Sequence, residues 1–164
     1  MPPRRRPTLR AVAPTARAAV AFCSHCGHPP AAPPAPAASR VCRRCGLGLL
    51  LEAAPDAAPS PDDPFLIVDD SLAVCAVSRH AERLLGVAET EAVHRHVTAF
   101  VVPADHRAAA PFNVVALLAR AGRGAQEPRR VVVRPADTFG VRWWARVASC
   151  EAPTAALLVI TGPA

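Results

Sequence analysis

Four cysteines near the start of the chain carry its most specific chemistry: Cys23, Cys26, Cys42 and Cys45 form two Cys-x-x-Cys pairs with fifteen residues between them. A Cys-x-x-Cys turn sets two thiolates on one side of a tight loop, and two such turns supply the four soft donors of tetrahedral zinc. Gly27 and Gly46 follow the second cysteine of each pair. There the chain must swing away so that backbone amides face the sulfurs, and glycine supplies the positive φ that such a turn often needs. His25 and His28 flank the first pair; with four thiolates present they are expected to stand by. A redox dithiol would need a βαβ context, which a proline and alanine spacer does not offer. With every position filled by protein, the zinc is structural rather than catalytic. Cys75 and Cys150 fall inside apolar runs and read as small buried hydrophobes.

Other chemistries lack their residues. Ser, His and Asp occur without a nucleophile elbow, a phosphate-cradling glycine loop or paired carboxylates in an apolar setting, so the expectation is a protein that is not an enzyme. Asp69 and Asp70 lie where a hairpin turn is expected, and turn chemistry accounts for them.

Proline distribution says where the elements that hold these residues can be. A 51% hydrophobic content suits a packed core, but 19 prolines forbid regular structure throughout. They gather in Pro2 to Pro14, in Pro29 to Pro36 and in AAPDAAPSPDDP, Ala53 to Pro64. The expected organisation is a disordered basic tail over 1–20, a four-cysteine module over 21–51, a Pro-rich linker over 52–61 and a main domain over 62–164. Residues 1–50 hold eight arginines and no acid, which makes nucleic acid a possible partner. MPPRRRPTLR is nevertheless broken by proline and has no aromatic side chain for base stacking, so a solvated tail is the first expectation. All basic residues are Arg, which with abundant Ala suggests a high-GC bacterial source. No apolar run approaches the roughly 20 residues that span a bilayer, and Arg17 interrupts any signal-peptide core, so the expected location is the cytoplasm, away from membranes.

Within the main domain, PFLIVD and LAVCAVS read as an antiparallel hairpin. Ser78 then caps a helix over RHAERLLGV, with Ala81, Leu84 and Leu85 as its stripe and Gly86 as its stop. ETEAVHRHVTAFVVPAD predicts a second short helix through Val93, Val97 and Phe100 or Val101, and PFNVVALLARAG a third that ends at Gly122. RRVVVRPA, VRWWARVASC and AALLVITG predict three closing strands. Fold class is therefore α+β, a five-stranded antiparallel sheet with helices on one face. In VRWWARVASC, Val141, Trp143, Ala145 and Val147 share the core face, which leaves Arg142, Trp144 and Arg146 on the outer face near Arg130, Val132 and Arg134. Arg and Trp carry much of the binding energy at interfaces, so this face is the expected protein contact, whether with a partner or with a second copy.

PFLIVDDSLAVCAVSRHAERLLGVAETEAVHRHVTAFVVPAD resembles the first half of a PAS domain, in which an apolar strand, an acidic turn and a second strand precede Asn-x-x-Ala-x-x-x-Leu-Gly. Ala81, Leu85 and Gly86 match, and Ser78 stands in place of the Asn as a cap. The last three strands are similar to the second half, and the four-cysteine segment resembles a zinc ribbon. The resemblance implies a sensory or regulatory domain for a small ligand or a protein partner, with Phe65, Leu85, Phe100 and Trp143 as candidate pocket lining. It also implies that any output passes through a partner, since the chain carries no kinase, cyclase or helix-turn-helix signature. A flavin-photoadduct site would need a reactive Cys that VHRHVTAFV lacks. Haem is disfavoured, because His94 and His96 at i and i+2 point to different helix sides.

Overall fold

Unbroken burial along two apolar runs decides how the chain closes. The computed structural model describes residues 18–31, 39–104, 113–125 and 127–164. Strand β3 (Phe65–Val68) and strand β8 (Ala155–Pro163) are neighbours in one antiparallel sheet, with Phe65 opposite Val159 and Val68 opposite Ala156. Successive side chains point to opposite faces, yet all four residues of β3 and the first six of β8 are buried. This sheet is thus covered on both sides.

The first cover is helical. Helix α1 (Arg79–Leu85) starts at Ser78, whose hydroxyl accepts from the Ala81 amide, and ends at Gly86 in the left-handed region, as expected. Leu84, expected in its apolar stripe, is exposed. The hairpin before it joins β3 to β4 (Val74–Val77). Its turn is tied by Asp69, which accepts from the Ser71 and Ala73 amides at 2.9 Å each. Helix α3 (Val114–Ala121) is capped by Asn113 rather than begun by a proline; the expected Pro111 start lies outside the described residues. α3 packs Val114, Leu117, Leu118 and Ala121 onto Leu66, Val68, Leu158, Ile160, Ala145 and Val147.

The expected second helix is not continuous. Helix α2 (Glu89–Ala92) stops after one turn, and a 3-10 turn (Val97–Ala99) leads into a short strand, β5 (Val101–Pro103), which pairs with β6 (Arg129–Pro135). Tertiary pairing overrides helical spacing here. His94 takes φ +69 and donates its amide to Val74 O at 2.9 Å, while Val74 donates to Arg95 O at 2.9 Å. The segment serves the edge of β4 instead of winding on.

The second cover comes from the N-terminal third. Strands β1 (Val20–Cys23) and β2 (Leu50–Ala53) form an antiparallel hairpin. β2 then pairs with the end of β7 (Trp143–Glu151), Glu52 opposite Glu151 and Ala53 opposite Cys150. The sheet has eight strands where five were expected, because β5 and this hairpin join it. β7 is long enough to pair on one edge with β6 along its first half and with β2 at its end. Phe22, Leu51, Ala53 and Ala57 close over Phe65, Ile67, Leu157 and Val159, with Phe22 edge-on to Phe65 at 5.8 Å.

The stretch expected as a linker takes part in this packing. Glu52 and Ala53 belong to β2, and the prolines that follow shape two hydrogen-bonded turns. The Ala57 and Ala58 amides donate to Ala54 O, and the Ser60 amide donates to the Asp63 carboxylate at 2.8 Å. Ala57 is 1% exposed. The expected basic tail, up to Arg17, lies outside the described residues. Among the described residues no helix is long and apolar enough to cross a membrane.

Phe22→Ala should lower stability by about 3 to 5 kcal/mol, the usual cost of emptying a buried phenyl site. Urea denaturation followed through Trp143, buried in the opposite core, should register that loss in full. A midpoint unchanged by the substitution would mean that the hairpin is not part of the cooperative unit.

Candidate metal centre

The two knuckles are built from backbone outward. The Gly27 amide donates to Cys23 O at 3.0 Å, and the Gly46 amide donates to Cys42 O at 2.8 Å, which closes each Cys-x-x-Cys turn. Both glycines take positive φ, +72 and +71, as their positions led us to expect. The knuckles are then tied together, since the Ser24 amide donates to Leu49 O at 2.8 Å and the Leu49 amide donates to the Ser24 hydroxyl at 3.0 Å.

The result brings all four expected sulfurs together, within 4.8 Å of one another. Cys23 Sγ lies 3.6 Å from Cys45 Sγ, and Cys26 Sγ lies 3.9 Å from Cys42 Sγ. A tetrahedron of zinc–sulfur bonds near 2.3 Å has edges of about 3.8 Å, so these separations fit a metal ion such as zinc. The amides of His25 and Cys26 point at Cys23 Sγ from 3.4 Å each. Such donors stabilise a thiolate.

Charge within the cluster is uneven. Burial pushes the Cys23 and Cys26 thiols up. Burial also raises Cys45, but the amides of Gly48 and Leu47 and the thiols of Cys23 and Cys42 outweigh it and take Cys45 down to about 6. Burial thus opposes deprotonation of Cys23 and Cys26, a cost that a cation bound among the sulfurs would offset.

Two further residues shape the centre. A Cβ on Gly48 would collide with Cys23 Sγ and stand 2.7 Å from the His25 amide. The repeated glycine in Cys45-Gly-Leu-Gly48 was the available signal for this. His25 is no ligand; its carbonyl accepts from the Arg79 amide at 2.9 Å, and its Nδ1 lies 3.6 Å from Glu89 Oε2. His28 likewise stays outside, with Nδ1 3.1 Å from Cys26 O.

The other candidate residues fall in different places. Leu85, Phe100 and Trp143 belong to the helix-covered core, whereas Phe65 points through the sheet to Phe22, so the four do not line one cavity. A cleft of about 240 Å³ lies instead against Leu117, Arg120, Ala121, Ala125, Arg129 and Val147. On β6 and β7, the Arg130 guanidinium sits 5.1 Å over the Trp144 ring and Arg134 5.0 Å over Phe139, while Arg142 is exposed. Arg146 is drawn inward to donate to Ala57 O and Ala58 O at 3.4 and 3.2 Å, so it is not free for a partner. Trp144 is outward and Trp143 inward, as the alternation predicts, but Val141 precedes the strand and is exposed.

His94 and His96 are both exposed. His96 caps the 3-10 turn by accepting from the Thr98 amide. Cys150 is buried, but Cys75 is exposed, contrary to expectation. In the ladder Val68 faces Val74 and Ile67 faces Ala76, which makes Cys75 the extra residue of a bulge and turns it outward. No protein-family model matches this chain, and no curated protein matches it.

Gly48→Ala should weaken zinc affinity about 10-fold or more, the usual penalty for disturbing what surrounds a ligand. Gly46→Ala, whose Cβ meets nothing within 4 Å, should cost only the strain of its backbone. Competition with a chromogenic chelator measures both.

Burial, helped by the charge of Glu151, pushes the Cys150 thiol up to about 12, against about 8.5 in an unfolded chain. Between those values the unfolded chain has lost a proton that the folded chain keeps. Stability from this group is therefore intact below the lower value and falls as pH rises, by about 1.4 kcal/mol per pH unit. Cys150→Ala should flatten that alkaline limb in denaturation measured across the range.

Proposed function

We propose that this chain is a non-enzymatic regulatory module, in which a PAS-like sensor domain carries a zinc-ribbon-like unit of four cysteines fixed to its sheet. The observation that carries this reading is the cluster of Cys23, Cys26, Cys42 and Cys45, whose hairpin continues into the same sheet as the main domain. Zinc bound there supplies a closed tetrahedral cross-link. The residues around it do the rest: Gly27 and Gly46 turn the chain, the amides of His25 and Cys26 face the sulfur of Cys23, and β1–β2 lays Phe22 and Leu51 on Phe65 and Leu157.

Support for the sensor half is its element order, strand, strand, helices interrupted by the short β5, then three strands, with Ser78, Ala81, Leu85 and Gly86 forming the capped helix of the resemblance. The 240 Å³ cleft between α3 and the strands is below the usual range of ligand pockets, about 300 to 1,000 Å³. It suits a small ligand, and His94 and His96, both exposed, are not placed to ligate a haem in an enclosed pocket. Nucleic-acid binding through the eight arginines and absent acids of residues 1–50 is the second reading.

Native mass spectrometry of the full chain should give one zinc per chain, and the visible spectrum should lack haem and flavin bands. Chelation should lower the thermal midpoint of the whole molecule and raise binding of an apolar dye, as the face of Phe65, Ile67, Leu157 and Val159 is uncovered. A chain without zinc, or one whose midpoint ignores chelation, would sink the proposal.

A further inference from the structure

The N-terminal hairpin and its turns cover only part of the outer sheet face. Among the described residues no element covers the part formed by β6 and the start of β7, and its side chains have an unusual composition. Among the described aromatic residues, Phe22, Phe65, Phe100 and Trp143 are buried, whereas Trp144 is 39% and Phe139 84% exposed. Each exposed ring lies under an arginine, Trp144 under Arg130 and Phe139 under Arg134. The two arginines are four residues apart on one strand, about 13 Å along it.

Positive charge on this face is unanswered. Arg130, Arg134 and Arg142 make no ion pair among the described residues, although one nitrogen of Arg134 donates to the neighbouring carbonyls of Pro135 and Ala136 at 3.0 and 3.4 Å, and Arg129 is the one neighbour with an acidic partner, Glu127 at 2.7 Å. Arg130 stands directly opposite Arg146 across the ladder, an arrangement of like charges that destabilises a sheet. Asp137, in the loop that carries Phe139, accepts from the Thr138 hydroxyl. The face therefore complements a polyanion.

Its geometry narrows the class. A second copy docked by two-fold symmetry would set these arginines against themselves. A peptide added as a strand would need a free edge, but β7 takes Arg129 to Val133, and β5 with the Ala104 amide takes Val132 to Pro135, which leaves only the three residues Arg129 to Val131 without a second partner among the described residues, too short a run to hold a strand. What remains is a ligand that lies across the face, with negative charge at short intervals and flat apolar groups between. Single-stranded nucleic acid has that make-up: phosphates meet arginine while unpaired bases stack on aromatic rings and guanidinium planes. A duplex hides its base faces.

We infer that the open face of β6 and β7, through Trp144, Phe139, Arg130, Arg134 and Arg142, binds single-stranded nucleic acid. This names the partner of the regulatory module proposed above and rests on that reading.

The test uses the full chain with its zinc content checked first, and an oligothymidylate of about 16 nucleotides, the upper end of common site sizes. Expected is saturable quenching of tryptophan fluorescence, weakened by salt and absent with a duplex of equal length. Each arginine replaced by alanine should reduce the salt slope by about 0.7, one phosphate contact on a single strand. Trp144→Leu and Phe139→Ala should each weaken binding about 10-fold, the loss of one stacked base; Phe139 is so exposed that its removal leaves the fold intact. Replacing Arg4, Arg5 and Arg6 by alanine should leave the quenching amplitude unchanged.

Zinc-loaded protein with no quenching overturns this inference alone, whereas protein that takes up no zinc overturns the module reading. Binding that survives Phe139→Ala and the face arginine substitutions, or that polyglutamate reproduces equally well, also rejects it. So does a dimer that occludes Trp144.

Discussion

Strands β3 and β8 are apolar on both sides, and the rest of the molecule answers that constraint. A single layer of helices over a sheet leaves the other face wet, which Phe65, Ile67, Leu157 and Val159 would not tolerate. The second cover is the β1–β2 hairpin with the turns after it, which contribute Phe22, Leu51, Ala53 and Ala57. That hairpin is far too small to hold itself together by burial. Its ends meet at the four cysteines instead, so the sulfur cluster sits where the cover of the larger domain's core is anchored.

The cover is held in place by contacts that are individually modest. Gly27 leaves just enough room for Ser60 and Pro61, whose atoms would lie 3.1 Å from any Cβ there. Arg146 reaches through to the carbonyls of Ala57 and Ala58, and Arg40 donates to Ala152 O at 3.1 Å. The His25 carbonyl receives the Arg79 amide at the start of α1. Beside it Glu89 accepts from the Val77 amide, and Glu82 from that of Glu89. The metal knuckle thus touches the sheet, a helix start and a turn at once, which fixes its orientation better than any one bond could.

Legibility of this structure from sequence follows the range of the interactions. Ser78, Gly86, Gly27 and Gly46 are readable because a cap or a tight turn depends on a few adjacent residues. The sulfur cluster is readable because two short spacings suffice to bring four donors together. Less visible is anything set by distant partners. The helical spacing of Val93, Val97 and Phe100 gives way to pairing between His94 and Val74, and β5 emerges from a run that ends in proline. Pro-rich residues 52–61 read as a linker, since composition marks turns without saying that Ala57 is buried beneath a hairpin. Phe65 and Phe100 invite grouping because both are large and apolar, although strand alternation sends Phe65 to the opposite face.

The pairing of β3 with β8 also has a temporal side. Phe65 meets Val159, and Ala53 meets Cys150, so β3 and β2 find these neighbours roughly a hundred residues later. Contacts at such separation must repay the entropy of closing a long loop before they reward it. During synthesis from the N-terminus, the cysteine knuckles are made early, but the face they cover is finished only with the last strand. Until then Phe22 and Leu51 have only the β3 side of that face, Phe65 and Ile67, to lie on.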